Sequence, residues 1–134
     1  MSARKHVVPK VLIVDDDVNV AFLVQVLLEQ EGWKVFVAHS APEALKAAEA
    51  APPDLVITDY NLPGFTGDVL MERLRSSERT KGARVVMLTA SIKDDLREEL
   101  TPRVDAFVSK PFDVAGLLST VKVLLTARPA PARV

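Results

Sequence analysis

Apolar and polar positions along the chain follow two rhythms. Short apolar runs, "VLIV" at 11–14, "WKVFVA" at 33–38, "LVIT" at 55–58, "RVVMLT" at 84–89 and "AFVS" at 106–109, are rich in β-branched residues and predict five strands. Between them the period lengthens to that of a helix. Val20, Leu23, Val24, Leu27 and Leu28 form one stripe, and Ser40 with Glu43 makes a capping box that opens "APEALKAAEA". A third helix is predicted from Thr66 or Gly67 through "DVLMERLR". A last one, "DVAGLLSTVKVLL", places Val114, Leu117, Leu118, Val121, Leu124 and Leu125 on one face. The fourth inter-strand segment, "SIKDDLREELTPRV", carries only Ile92, Leu96 and Leu100 among charges, which predicts a short helix that Pro102 ends early.

Strict β-α alternation implies a parallel sheet with right-handed crossovers and helices on both faces. Five strands suit an α/β, flavodoxin-like doubly wound (βα)5 sandwich in strand order 2-1-3-4-5. In that order strands 1 and 3 are neighbours, and the crevice beyond their carboxyl ends is where ligands bind. The first polar residues there are Asp15, Asp16 and Asp17 after strand 1, Asp59 after strand 3, Thr89 after strand 4, and Ser109 with Lys110 after strand 5. Strand 2 delivers Ala38, His39 and Ser40, and its outer position gives it no part in the site. Each residue alone has a structural reading. Asp16 or Asp17 fits a helix N-cap, Asp59 a turn, Thr89 a β-branched strand end and Lys110 a solvated turn lysine. Their arrival on one sheet edge, acids on adjacent strands and hydroxyl and cation on the next two, is what points to chemistry.

Composition narrows the chemistry. The chain has 134 residues, 49% hydrophobic and 26% charged, which suits one domain with a core. A formal net charge of -1, with signs interspersed, offers no footprint for nucleic acid or an anionic membrane. The absence of cysteine excludes disulfides and thiolate metal sites. The start, "MSARKHVVPK", has no signal-peptide core, and no apolar run is long enough to span a membrane, so a cytoplasmic protein is expected. Clustered carboxylates repel unless a cation sits among them. Oxygen-only ligands favour Mg²⁺, with Mn²⁺ as the alternative, over Zn²⁺. Lys110 and the Thr89 hydroxyl are then free to face an anion, for which phosphate is the natural candidate, and a carboxylate beside the metal can attack phosphorus.

With "VLIVDDD", "PDLVITDYNLPGFTG", "VVMLTAS" and "FVSKPF" in this order and spacing, the chain resembles a response-regulator receiver domain of two-component signalling, over residues 10–126. Residues 1–9 are then an N-terminal extension and 127–134, "ARPAPARV", a disordered tail or the start of a linker. The resemblance implies that Asp59 is the phosphoacceptor, charged from a phosphohistidine on a histidine kinase or a histidine phosphotransfer protein. Asp15, Asp16, Asp59 and the backbone carbonyl of Asn61 would hold Mg²⁺, Asp15 mostly through water. Thr89 would bond a phosphoryl oxygen, Lys110 would pair with the phosphate, and the bond before Pro111 would be cis. Thr89 and Phe107 would form a switch that reshapes the face of the fourth helix, fifth strand and fifth helix for a downstream protein. No enzymatic turnover is implied beyond self-phosphorylation and slow autodephosphorylation.

The pattern departs from the family in places. Thr66 stands where an acid often precedes Gly67, the fourth helix looks short, and Phe107 lacks the hydroxyl of the more common tyrosine. Asn61 and Ser91 occupy positions that tune acyl-phosphate hydrolysis in the family. His6, His39, Trp33 and Tyr60 read as surface, packing or access residues. Two rival readings use the same residues: a phosphohydrolase of the haloacid-dehalogenase type, and an interaction module independent of phosphorylation. The first wants a second acid where this chain has Asn61, and its nucleophile after the first strand. The second leaves the full set of acids, Thr89 and Lys110 without a use.

Overall fold

The computed structural model describes residues 8–90 and 93–126. Five strands, β1 (Lys10–Val14), β2 (Lys34–Ala38), β3 (Leu55–Thr58), β4 (Arg84–Thr89) and β5 (Ala106–Ser109), alternate with five helices. These are α1 (Val18–Glu29), α2 (Ala41–Ala50), α3 (Gly67–Arg75), α4 (Asp94–Leu100) and α5 (Val114–Thr126). All strand pairs are parallel and the order is β2-β1-β3-β4-β5, as the alternation predicted. Ser91, Ile92 and the tail expected over 127–134 lie outside the described residues, as do residues 1–7 of the N-terminal extension.

The sheet is covered on both sides, which is why β3 is buried at every position and apolar up to its last residue, Thr58. Val11, Ile13, Ile57, Val86 and Leu88 face α1 and α5, whereas Leu12, Val14 and Val56 face α2 and α3. On α1 the buried residues are Ala21, Val24 and Leu28; Leu23, placed on the stripe by its spacing, is 46% exposed. The buried face of α1 thus runs through Ala21, Val24 and Leu28, and Leu23 turns to solvent. Val114 departs from the stripe of α5 in the same way, at 40% exposure, while Leu117 and Val121 are buried.

Helix ends follow their side chains. Asp17 caps α1 by accepting from the backbone N–H groups of Asn19 and Val20. Ser40 caps α2 by accepting from Glu43 N–H, and the Glu43 carboxylate reaches back one residue further than a capping box requires, to His39 N–H. The seven-residue α4 buries only Leu100, and the Arg97 guanidinium lies 4.7 Å from the Phe107 ring centroid, fastening the helix to β5. Among the described residues no helix is long and apolar enough to cross a membrane.

Candidate functional site: an acidic mouth at the carboxyl edge of the sheet

The strand order brings the expected residues to one edge. Asp59 continues β3, and its N–H donates to the Val14 carbonyl at 2.9 Å, so it leaves the sheet beside Asp15. Asp15 is 1% exposed, Asp59 9% and Thr89 2%, whereas Asp16 is exposed. Carboxylate oxygens of Asp15, Asp16 and Asp59 all lie within 4.8 Å of one another. Asp17 is not in this cluster; it is the cap of α1.

Lys110 holds the buried pair together. Its Nζ donates to Asp15 Oδ2 at 2.7 Å and to Asp59 Oδ2 at 2.8 Å. Burial pulls the ammonium pKa down, but the hydrogen bonds and charges of Asp15 and Asp59 outweigh that and hold it above the usual lysine value. The Lys110-Pro111 peptide is cis, as the resemblance implied. The other carboxylate oxygens are met by backbone: Asp17 N–H donates to Asp15 Oδ1 at 2.9 Å, and Asn61 N–H to Asp59 Oδ1 at 3.2 Å. The Asp59 carbonyl accepts from the Thr58 hydroxyl, and a Cβ at Gly67 would overlap that same carbonyl oxygen, so only glycine lets α3 start this close to β3. Thr89 Oγ1 is the buried side-chain atom without a hydrogen-bond partner among the described residues.

One feature was not read from the sequence. His39, assigned no part in the site because β2 is outermost, lies with its ring Nδ1 3.0 Å from the Asp15 carbonyl oxygen. Tyr60 is half-buried, and its hydroxyl pKa is raised first by burial and then by the Asp68 charge. Phe107 is half-buried, on the same face of its strand as Ser109, which pairs with Thr89.

Three carboxylates against one ammonium leave two formal negative charges uncompensated in the mouth. With oxygen donors only, two acids buried and one open to solvent, this donor set fits a hard cation. The buried, unpartnered Thr89 hydroxyl beside Lys110 supplies donors suited to an anion.

RpaA of Synechocystis sp., a DNA-binding dual master transcriptional regulator, is 37% identical over 119 residues, covering 87% of this chain and 49% of that protein. The phosphate regulon transcriptional regulatory protein PhoB of Rhizobium meliloti is 35% identical over 118 residues, covering 87% of this chain and 52% of its own. The chain thus spans about half the length of the curated relatives it matches. The structure of the chemotaxis response regulator CheY4 of Vibrio cholerae superposes with a TM-score of 0.81 at 29% identity, covering 88% of this chain and 99% of that one. The family signature of the response regulator receiver domain matches residues 11–122. A doubly wound sheet with its acids gathered at the switch point, matched over most of its length by that signature, makes this chain a member of the response regulator receiver domain family.

Proposed function

We propose that the chain is a phosphoacceptor switch in which Asp59 receives a phosphoryl group from a phosphohistidine of a histidine kinase or histidine phosphotransfer protein. The observation that carries this reading is the cluster of Asp15, Asp16 and Asp59 oxygens within 4.8 Å, with Lys110 on one side of it. Asp15, Asp16, Asp59 and the Asn61 carbonyl are the candidate ligands for Mg²⁺, with Mn²⁺ a possible substitute. When bound, the cation neutralises the acids and the charge on the transferring phosphoryl oxygens. An Asp59 carboxylate oxygen attacks phosphorus, the P–N bond breaks, and its electron pair leaves with the imidazole. Lys110 then exchanges its bond to Asp59 for one to a phosphoryl oxygen, and the Thr89 hydroxyl donates to another. Movement of Thr89 draws on Phe107, and through it on α4, β5 and α5, the face assigned here to a downstream protein.

This role is that of a switch, not a turnover enzyme. The phosphohydrolase reading is disfavoured because Asn61 stands where a second acid is needed. RpaA is a DNA-binding regulator, but this chain's mixed charge supplies no phosphate-binding stripe, so we assign its contacts to proteins in the cytoplasm. The test is intact-mass measurement after incubation with acetyl phosphate. One added phosphoryl group, dependent on Mg²⁺ and absent in Asp59→Asn, supports the reading; no adduct, or sustained release of phosphate from varied phosphomonoesters, overturns it.

A further inference from the structure

We infer that His39 is a positioning residue for the metal end of the mouth, acting through the peptide that joins Asp15 to Asp16. The inference rests on the proposed metal site and starts from the sheet register. Val14 pairs with Ala38, and Asp15 N–H donates to the Ala38 carbonyl at 3.1 Å, so the ladder reaches one residue past β1. In a continued parallel ladder the Asp15 carbonyl would next accept from Ser40 N–H. Ser40 instead turns away to cap α2, and the His39 ring takes that place, with Nδ1 3.0 Å from the Asp15 oxygen. A carbonyl only accepts, so Nδ1 carries the proton. The carbonyl lies in the planar Asp15–Asp16 peptide; holding it orients the Cα atoms of both acids. The exposed Asp16 carboxylate takes part in no hydrogen bond or ion pair among the described residues, so the placing of its backbone is what sets where it stands.

The histidine is itself held. Its N–H donates to Glu43 Oε1 at 2.9 Å, and the next residue but one, Ala41, donates its N–H to the Pro63 carbonyl at 3.1 Å. Pro42 sits against Gly64, where a Cβ would overlap the proline ring. The start of α2 therefore braces two loops at a set separation: the one carrying Asp15 and Asp16, and the one carrying Asn61. Loss of a partner that orients metal ligands commonly weakens metal binding 10–100-fold.

The test titrates Mg²⁺ into the metal-free protein and follows the backbone amide shifts of residues 15–17 and 61, a readout that needs no phosphoryl transfer. His39→Ala is expected to need about tenfold more Mg²⁺ for half-saturation. His39→Asn, whose amide nitrogen falls near the Nδ1 position, is expected to bind nearly as wild type. Equal affinity in wild type and His39→Ala overturns the inference and leaves the proposed function standing; a wild type with no saturable Mg²⁺ response overturns both. Should the alanine variant fail to fold, His39→Gln, which carries the same amide one carbon further out, replaces it. Asparagine binding much more tightly than glutamine supports the inference, and equal binding overturns it.

Discussion

Replacing Lys110 with methionine isolates the electrostatics of the mouth. Methionine keeps most of the apolar stem and removes the ammonium that lies 2.7 Å from Asp15 Oδ2 and 2.8 Å from Asp59 Oδ2. Two largely buried carboxylates are then left with oxygens within 4.8 Å of each other. At an effective dielectric of about 20 their repulsion is on the order of 3 kcal/mol, similar to the cost of breaking a buried ion pair. For a domain of this size that is a fall of roughly 10 °C in Tm. The loss should depend on pH in a fixed direction. Without the ammonium, the repulsion between the two carboxylates is relieved when one of them takes a proton, so the deficit of the variant should shrink on acidification. In the wild type, the raised pKa of Lys110 means that its contribution is complete below the ordinary lysine value near 10.4 and is lost only as pH climbs through the raised folded value. Thermal unfolding of both proteins as a function of pH, without divalent cations, is the assay. An unchanged Tm, or a gap that widens on acidification, would refute the reasoning.

Other substitutions probe separate parts of the site. Asp16→Ala should raise the stability of the metal-free protein by on the order of 1 kcal/mol, by relieving repulsion at an exposed position, and should abolish the stabilisation that Mg²⁺ gives the wild type; thermal melts with and without Mg²⁺ check both. Thr89→Val removes a buried hydroxyl that has no partner, so the metal-free fold should be unharmed or up to about 1 kcal/mol more stable while phosphoryl uptake slows, seen by chemical denaturation and by the rate of adduct formation. Gly67→Ala drives a Cβ into the Asp59 carbonyl and should cost about 1–3 kcal/mol, read from the urea midpoint.

Most of the architecture was legible because it rests on local signals. The runs at 11–14 and 55–58 are strands with no polar break, as buried parallel strands must be, and their adjacency follows from topology. Once they are neighbours, Asp15, Asp16 and Asp59 have to meet. What escaped depends on geometry that residue type does not encode. Leu23 and Val114 fit their helical stripes by spacing, but a stripe fixes the buried face only to within a residue or so, and α1 buries Ala21, Val24 and Leu28 while Leu23 turns to solvent. His39 follows the edge strand β2, and residue type alone gives it no place in the site. Its role depends on the ladder ending one residue short of the turn, leaving the Asp15 carbonyl for a side chain. Asp17 was ambiguous among three consecutive acids, and only the start of α1 at Val18 decides that it is the cap.

The defining property of a phosphoacceptor switch is the atom to which phosphorus bonds. Borohydride reduction converts an aspartyl phosphate to homoserine, so treating the protein with acetyl phosphate and Mg²⁺, reducing it and sequencing its peptides by mass spectrometry locates the acceptor. Asp59 as the phosphoacceptor predicts homoserine at position 59, dependent on Mg²⁺, and none at 15, 16 or 17. Homoserine at another aspartate, or none in a protein that remains folded, would contradict it.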